Sequence, residues 1–146
     1  MELILLIGLQ ASGKSTFYAR RFADTHVRLN MDMLKTRHRE QVMLDACIKG
    51  KTPCVIDNTN PDAEDRARYV APAKAAGFRV VGYYFHSKVS DCLTRNAARA
   101  QPVPEPGLLG TQRRMTLPRR DEGFDELWHV RIENGDFVVS EWQDEI

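Results

Sequence analysis

Residues Gly8 to Ser15 read G-L-Q-A-S-G-K-S and fit G-x-x-x-x-G-K-[ST], the pattern of a phosphate-binding P-loop. A polyphosphate carries dense negative charge that must be met at close range. Gly8 and Gly13 permit backbone angles and an approach that a Cβ would block. The loop amides and the positive end of the next helix then point at the β-phosphate. Lys14 is placed to reach the β and γ oxygens, and the Ser15 hydroxyl to ligate magnesium. Ser12 and Thr16 complete the expected nucleotide-binding set. A glycine turn with a solvated lysine is the plain alternative. The motif speaks for nucleotide binding and leaves the destination of the γ-phosphate open.

Two carboxylates stand where they could decide that destination. In open parallel sheets ligands bind at the carboxyl ends of the strands. Asp32 follows a second strand, Asp57 ends a third, and Asn58-Thr59-Asn60 comes directly after it. One carboxylate beside a metal-nucleotide can take a proton from an attacking hydroxyl while the other holds magnesium or its water shell. Asp57, closing the apolar run Val55-Ile56, suits the metal side, directly or through water. Asp32, on a loop entering a helix, suits the base. A helix cap explains Asp32 equally well, and a turn explains Asp57.

Arg95 and Arg99 stand four apart on an expected helix, where like charges repel by a few tenths of a kcal/mol. A polyphosphate between them would relieve this through forked hydrogen bonds. Such a pair suits a lid over ATP; a solvated basic face is the alternative. Arg66 and Arg68 follow Asp62 and Glu64 by four, so helix ion pairs account for them.

The elements that must position these groups alternate between apolar strands and helices, as in a parallel α/β sheet. Leu3–Ile7 is the first strand and Ser15–Phe22 the helix after the loop. His26–Asn30 is a weak second strand, and Met33–Lys49 a helical stretch. Pro53–Asp57 is the third strand. Asn60-Pro61-Asp62 then opens a helix, with a cap and a first-turn proline. That helix closes at Gly77, with Pro72 a possible kink. Phe78–Phe85 is the fourth strand and Asp91–Ala100 another helix. Gln101–Gly110, with three prolines and two glycines, reads as irregular. Trp128–Trp142 alternates around Asn134-Gly135, a two-residue hairpin signal, and is expected to extend or cover the sheet edge.

The 146 residues make one domain, residues 1–146, with ordinary composition: 42% hydrophobic and 28% charged. Three cysteines without C-x-x-C argue for reduced thiols, against a disulfide scaffold or zinc site. The four histidines show no ligand spacing. The N-terminal apolar run is too short to span a membrane and lacks a basic leader, so a cytoplasmic protein with no membrane association is expected. A net charge of +1 excludes a strong whole-molecule attraction to nucleic acid. The charge is uneven, however: six arginines and one acid lie from Arg95 to Arg120, and nine acids and one base follow from Asp121 onward. The acidic segment reads as a solvated face.

Taken together, G-L-Q-A-S-G-K-S-T-F, N-M-D, V-I-D-N-T-N-P-D-A-E-D-R-A-R-Y-V and T-R-N-A-A-R resemble, in order from about Glu2 to Arg99, the kinase domain of 5′-hydroxyl polynucleotide kinases. The resemblance is most specific at Asp57–Val70 and continues loosely through Val103-Pro104, Gly110 and Glu122-Gly123-Phe124. It implies a P-loop kinase fold, ATP and Mg2+, and γ-phosphate transfer to the 5′-hydroxyl of DNA or RNA; a lid at about residues 91–120 and a monomer are expected. Asp32 then looks like the general base. Lys14 and Ser15 serve phosphates and metal, and Arg99 looks like the lid arginine, with Arg95 beside it. One departure stands out. The phage member has an arginine three residues past the base that grips the acceptor's phosphate; here the position is Lys35, with Arg37 and Arg39 nearby. Lysine keeps the charge and loses the fork. Lys35, Arg37, Asn58 and Thr59 are the expected acceptor contacts. With no D-x-D signature and no H-D pair, a kinase without a phosphatase is expected. Two other functions stay open: a kinase of a small hydroxyl acceptor such as a sugar, nucleotide sugar or drug, and an ATP-binding switch with no transfer.

Overall fold

A computed structural model describes residues 1–144. Its centre is a six-stranded sheet in the order β2-β3-β1-β4-β5-β6. The strands are β1 (Glu2–Ile7), β2 (Val27–Leu29), β3 (Cys54–Asp57), β4 (Arg79–Phe85), β5 (Glu126–Glu133) and β6 (Asp136–Glu141). All neighbours are parallel except β5 and β6, the antiparallel hairpin at the edge. Asn134 and Gly135 both take positive φ, 51° and 78°, as a two-residue turn matched to strand twist requires. The expected α/β architecture and C-terminal hairpin are therefore present, and the hairpin extends the sheet.

Helices cover both faces, which is why β1 is an unbroken apolar run. On one face α1 (Lys14–Arg21) drives Phe17 among Ile4, Leu6, Tyr83 and Phe85, joined by Phe137 of β6. On the other, α3 (Arg37–Lys49) and α4 (Ala63–Ala75) bury Leu44, Cys47, Tyr69, Val70 and Ala73 against Leu3, Leu5 and Ile56. The chain leaves β1 toward β2 on one side, and β3 toward β4 on the other. The crevice at the carboxyl end of β1 is thus a topological switch point, and the P-loop fills it. The three cysteines are buried free thiols. Among the described residues no helix is long and apolar enough to cross a membrane.

Four local expectations are corrected. The single helix expected over Met33–Lys49 is two helices, α2 (Met31–Leu34) and α3, separated by Lys35 at φ 74°. Asn30 and Thr36 are both N-caps, accepting from Met33 N and Arg39 N; two caps six residues apart start two helices. The cap of α4 is Asp62, not Asn60. Asn60 instead sits at φ 49° and donates to the Leu6 carbonyl at 2.7 Å, satisfying the exit of β1.

Gln101–Gly110 is not wholly irregular, since α6 runs from Glu105 to Arg114. Pro104 caps it and Pro106 lies in its first turn, where no amide bond is lost. The fourth correction concerns Arg66, which makes no pair with Asp62. It is fully buried, gripping Glu122 at 2.7 and 3.1 Å and the carbonyls of Asn60, Pro61 and Thr116 at 3.1 Å each. Asp62 pairs with Arg114 instead, and the acidic segment is partly structural: Glu122 holds Arg66 and Asp125 holds Lys74.

Candidate active site

The P-loop bends tightly under two constraints. A Cβ on Gly8 would fall 2.8 Å from Ser12 Oγ and 2.9 Å from Phe85 Cβ. Gly13, at φ 99°, is the N-cap of α1, and a Cβ there would meet Phe137 at 2.9 Å. The glycines are needed because the loop is packed from behind as well as open to a ligand in front. Ser12 is buried within the loop, where its Oγ lies 3.4 Å from Lys14 Nζ.

Lys14 is itself buried. Its ammonium donates to the carbonyls of Gly8 at 2.9 Å and Leu9 at 2.6 Å. Burial pushes the Lys14 pKa down to about 8, against the opposing pull of Asp57. A phosphate placed beside this ammonium supplies the anion that burial lacks, and so restores the charged form.

One cleft of about 630 Å³ gathers most of the expected residues. Lys14, Ser15 and Thr16 line its floor, Asp57, Asn58 and Thr59 one wall, and Arg95 and Arg99 another. Asp32 and Arg37 line the same cleft. Gly8 and Ser12 shape the loop behind it. Lys35 is not among the lining residues, since the turn that separates α2 from α3 leaves it exposed, while Arg37 does line the cleft.

The asparagines align the wall. Asn30 caps α2 and donates its amide to the Asp57 carbonyl. Asp32 is therefore free of the capping role and lies exposed in the first turn of α2. Asn58 accepts from Met31 N at 3.0 Å and donates to Glu40 at 2.9 Å. Its side chain positions α2 while also lining the cleft. Glu40, 2% exposed, also receives Arg37 at 2.9 Å and the Tyr69 hydroxyl at 2.9 Å, so Arg37 is aimed by a buried network.

Ser15 Oγ donates to Asp57 Oδ2 at 2.9 Å. Both are hard oxygen donors, and a cation, the Arg28 guanidinium, already touches both. The donor set fits magnesium.

Arg95 lies on α5 (Val89–Ala97) and donates to the Ala11 carbonyl. Arg99 lies past the end of that helix, so the two are not a helical pair, yet both reach the cleft. Gln10 of the P-loop donates to Thr111 of α6 at 2.9 Å. Leu9 packs with Cys92 and Leu108, joining loop and arginine-bearing segment.

Several lining residues lay outside the sequence reading: Gln10, Arg20, Asn30, Ile132 and Phe137. The hairpin carried a clear turn signal, but only its docking on Gly13 brings Ile132 and Phe137 to the nucleotide side.

A strand, a glycine loop carrying G-x-x-x-x-G-K-S and a following helix define a P-loop nucleotide-binding protein. The family model described as an AAA domain (AAA_33) matches residues 3–118, and the chain belongs to that family. It is 29% identical over 137 residues to a bifunctional polynucleotide phosphatase/kinase of Schizosaccharomyces pombe, covering 88% of this chain and 33% of that relative. The chain thus spans about a third of that relative's length. Among solved structures it is similar to a gluconokinase from Sinorhizobium meliloti 1021, with TM-score 0.62 and 19% identity over 89% of this chain and 82% of that one. It is also similar to Kti12 of Chaetomium thermophilum in complex with ADP-AlF3, with TM-score 0.64 and 17% identity over 88% of each chain. The fold is that of P-loop kinases.

Proposed function

We propose that this chain is an ATP-dependent, magnesium-assisted phosphotransferase whose acceptor is the 5′-hydroxyl end of a polynucleotide. One observation carries the reading: Asp32 and Lys14 line the same cleft, so a carboxylate and a phosphate-gripping lysine face a shared space. Asp32 accepts the proton of the incoming hydroxyl. The acceptor oxygen bonds to the γ-phosphorus as the bond to the β–γ bridging oxygen breaks, and ADP leaves with that electron pair. Lys14, Arg95 and Arg99 neutralise the charge spread over the phosphoryl oxygens. Ser15 and Asp57 would hold Mg2+, which supplies further neutralisation at the β and γ oxygens. Residues 91–120, carrying both arginines, act as the lid.

The acceptor assignment draws on the name of the yeast relative and on Arg37. A guanidinium held by Glu40 and Tyr69 at the cleft mouth suits the phosphate next to a strand's 5′ end. The test is transfer of labelled γ-phosphate to 5′-hydroxyl DNA and RNA oligonucleotides. No transfer to either refutes the polynucleotide acceptor. A small hydroxyl acceptor is the second reading, favoured by the net charge of +1. Acceptor KM against salt separates them, rising steeply only where several backbone phosphates are gripped.

A further inference from the structure

Arg28 belongs to none of the motifs, and it holds both groups read above as magnesium ligands. Its Nε donates to Asp57 Oδ2 at 2.8 Å and its Nη2 to Ser15 Oγ at 3.1 Å. Asp57 Oδ2 also receives the Ser15 hydroxyl at 2.9 Å. The three groups form a closed triangle around one carboxylate oxygen. The Asp57 side chain is 1% exposed, so its charge requires a cation close by. The Arg28 side chain is 30% exposed, leaving a way out toward solvent. Its guanidinium carbon lies 5.9 Å from the centre of the Tyr18 ring, a second surface for the same cation.

We infer that Arg28 is a resident cation of the metal seat, which a divalent ion must displace to reach Asp57 and Ser15. The inference rests on the reading of those two residues as metal ligands. Its physical basis is simple. Asp57 Oδ2 accepts two hydrogen bonds, one of them from the guanidinium, and has little capacity left for an ion. An ion gains Asp57 Oδ2 and the Ser15 hydroxyl together only by breaking the fork, so Arg28 weakens metal binding. When the ion departs with the product nucleotide, the guanidinium returns and keeps the buried carboxylate neutralised. Arg28 thereby sets the metal concentration at which the nucleotide site loads.

The experiment measures binding, not turnover. Mn2+ affinity in the presence of ADP is read by electron paramagnetic resonance, and ADP affinity with and without Mg2+ by calorimetry, for wild type, Arg28→Gln, Arg28→Lys and Asp57→Asn. Loss of the fork in Arg28→Gln should tighten Mn2+ on the order of tenfold, and enlarge the gain in ADP affinity that Mg2+ brings. Arg28→Lys, with charge but no fork, should fall between and carries the test if Arg28→Gln fails to fold. Unchanged or weaker Mn2+ binding in the folded variants overturns the competition while the metal seat stands. If Asp57→Asn binds Mn2+ as wild type does, the metal-seat reading fails, and the inference fails with it.

Discussion

Lys14 should cost the free protein stability at neutral pH and lose that cost in alkali. The unfolded lysine keeps its proton up to about pH 10.5, the folded one only to about 8. Between these values the unfolded chain binds more protons, so stability rises with pH. The gap corresponds to about 3 kcal/mol. Lys14→Met removes the titration and leaves the Gly8 and Leu9 carbonyls without their donor, at about 1 kcal/mol each. That second loss does not depend on pH, so comparison at two pH values separates the terms. Urea denaturation of both proteins at pH 7 and pH 10.5 is the assay. Wild type should gain about 3 kcal/mol relative to Lys14→Met across the interval. Other titrating groups are common to both chains and cancel. ATP affinity should run the opposite way, falling above pH 8 as the free ammonium loses its proton. A difference between the two proteins that stays flat with pH refutes the reasoning, because Lys14 would then be no more desolvated than a surface lysine.

Asp32→Asn should lower phosphoryl transfer about 10²- to 10⁴-fold. Nucleotide affinity in calorimetry should stay at wild type, and Tm should move by less than about 4 °C because Asn30, not Asp32, caps α2. Arg66→Met should destabilise by about 3–5 kcal/mol in denaturant titration, leaving the Glu122 carboxylate, 12% exposed, without its cation. The double variant Arg66→Met, Glu122→Leu should recover part of that loss. Arg37→Ala should raise the KM for a 5′-hydroxyl oligonucleotide about 10-fold or more, with the KM for ATP little changed.

Features with local causes could be read from the chain alone. The P-loop is legible because glycine, lysine and serine at fixed spacing each answer one demand of a phosphate. The hairpin is legible because Asn134-Gly135 tolerates two positive φ angles in a row. The β1 run and the carboxylates at strand ends follow from periodicity and the rule of the switch point. The two helices over Met31–Lys49 were also within reach, since Asn30 and Thr36 are both cap formers.

Which charges meet is set by the folded arrangement. Arg28 finds Asp57 across 29 positions and Arg66 finds Glu122 across 56. Arg66 looked like the partner of Asp62, but burial of α4 left it no route to solvent, and a fully buried guanidinium must satisfy its donors where acceptors converge. Phe137 reaches the nucleotide loop because β6 docks on α1, and Arg37 lines the cleft while Lys35 does not because the chain turns between α2 and α3. Long side chains on surfaces have many local partners of similar energy. The choice falls to packing, which brings distant segments together and removes the water that made those partners equivalent.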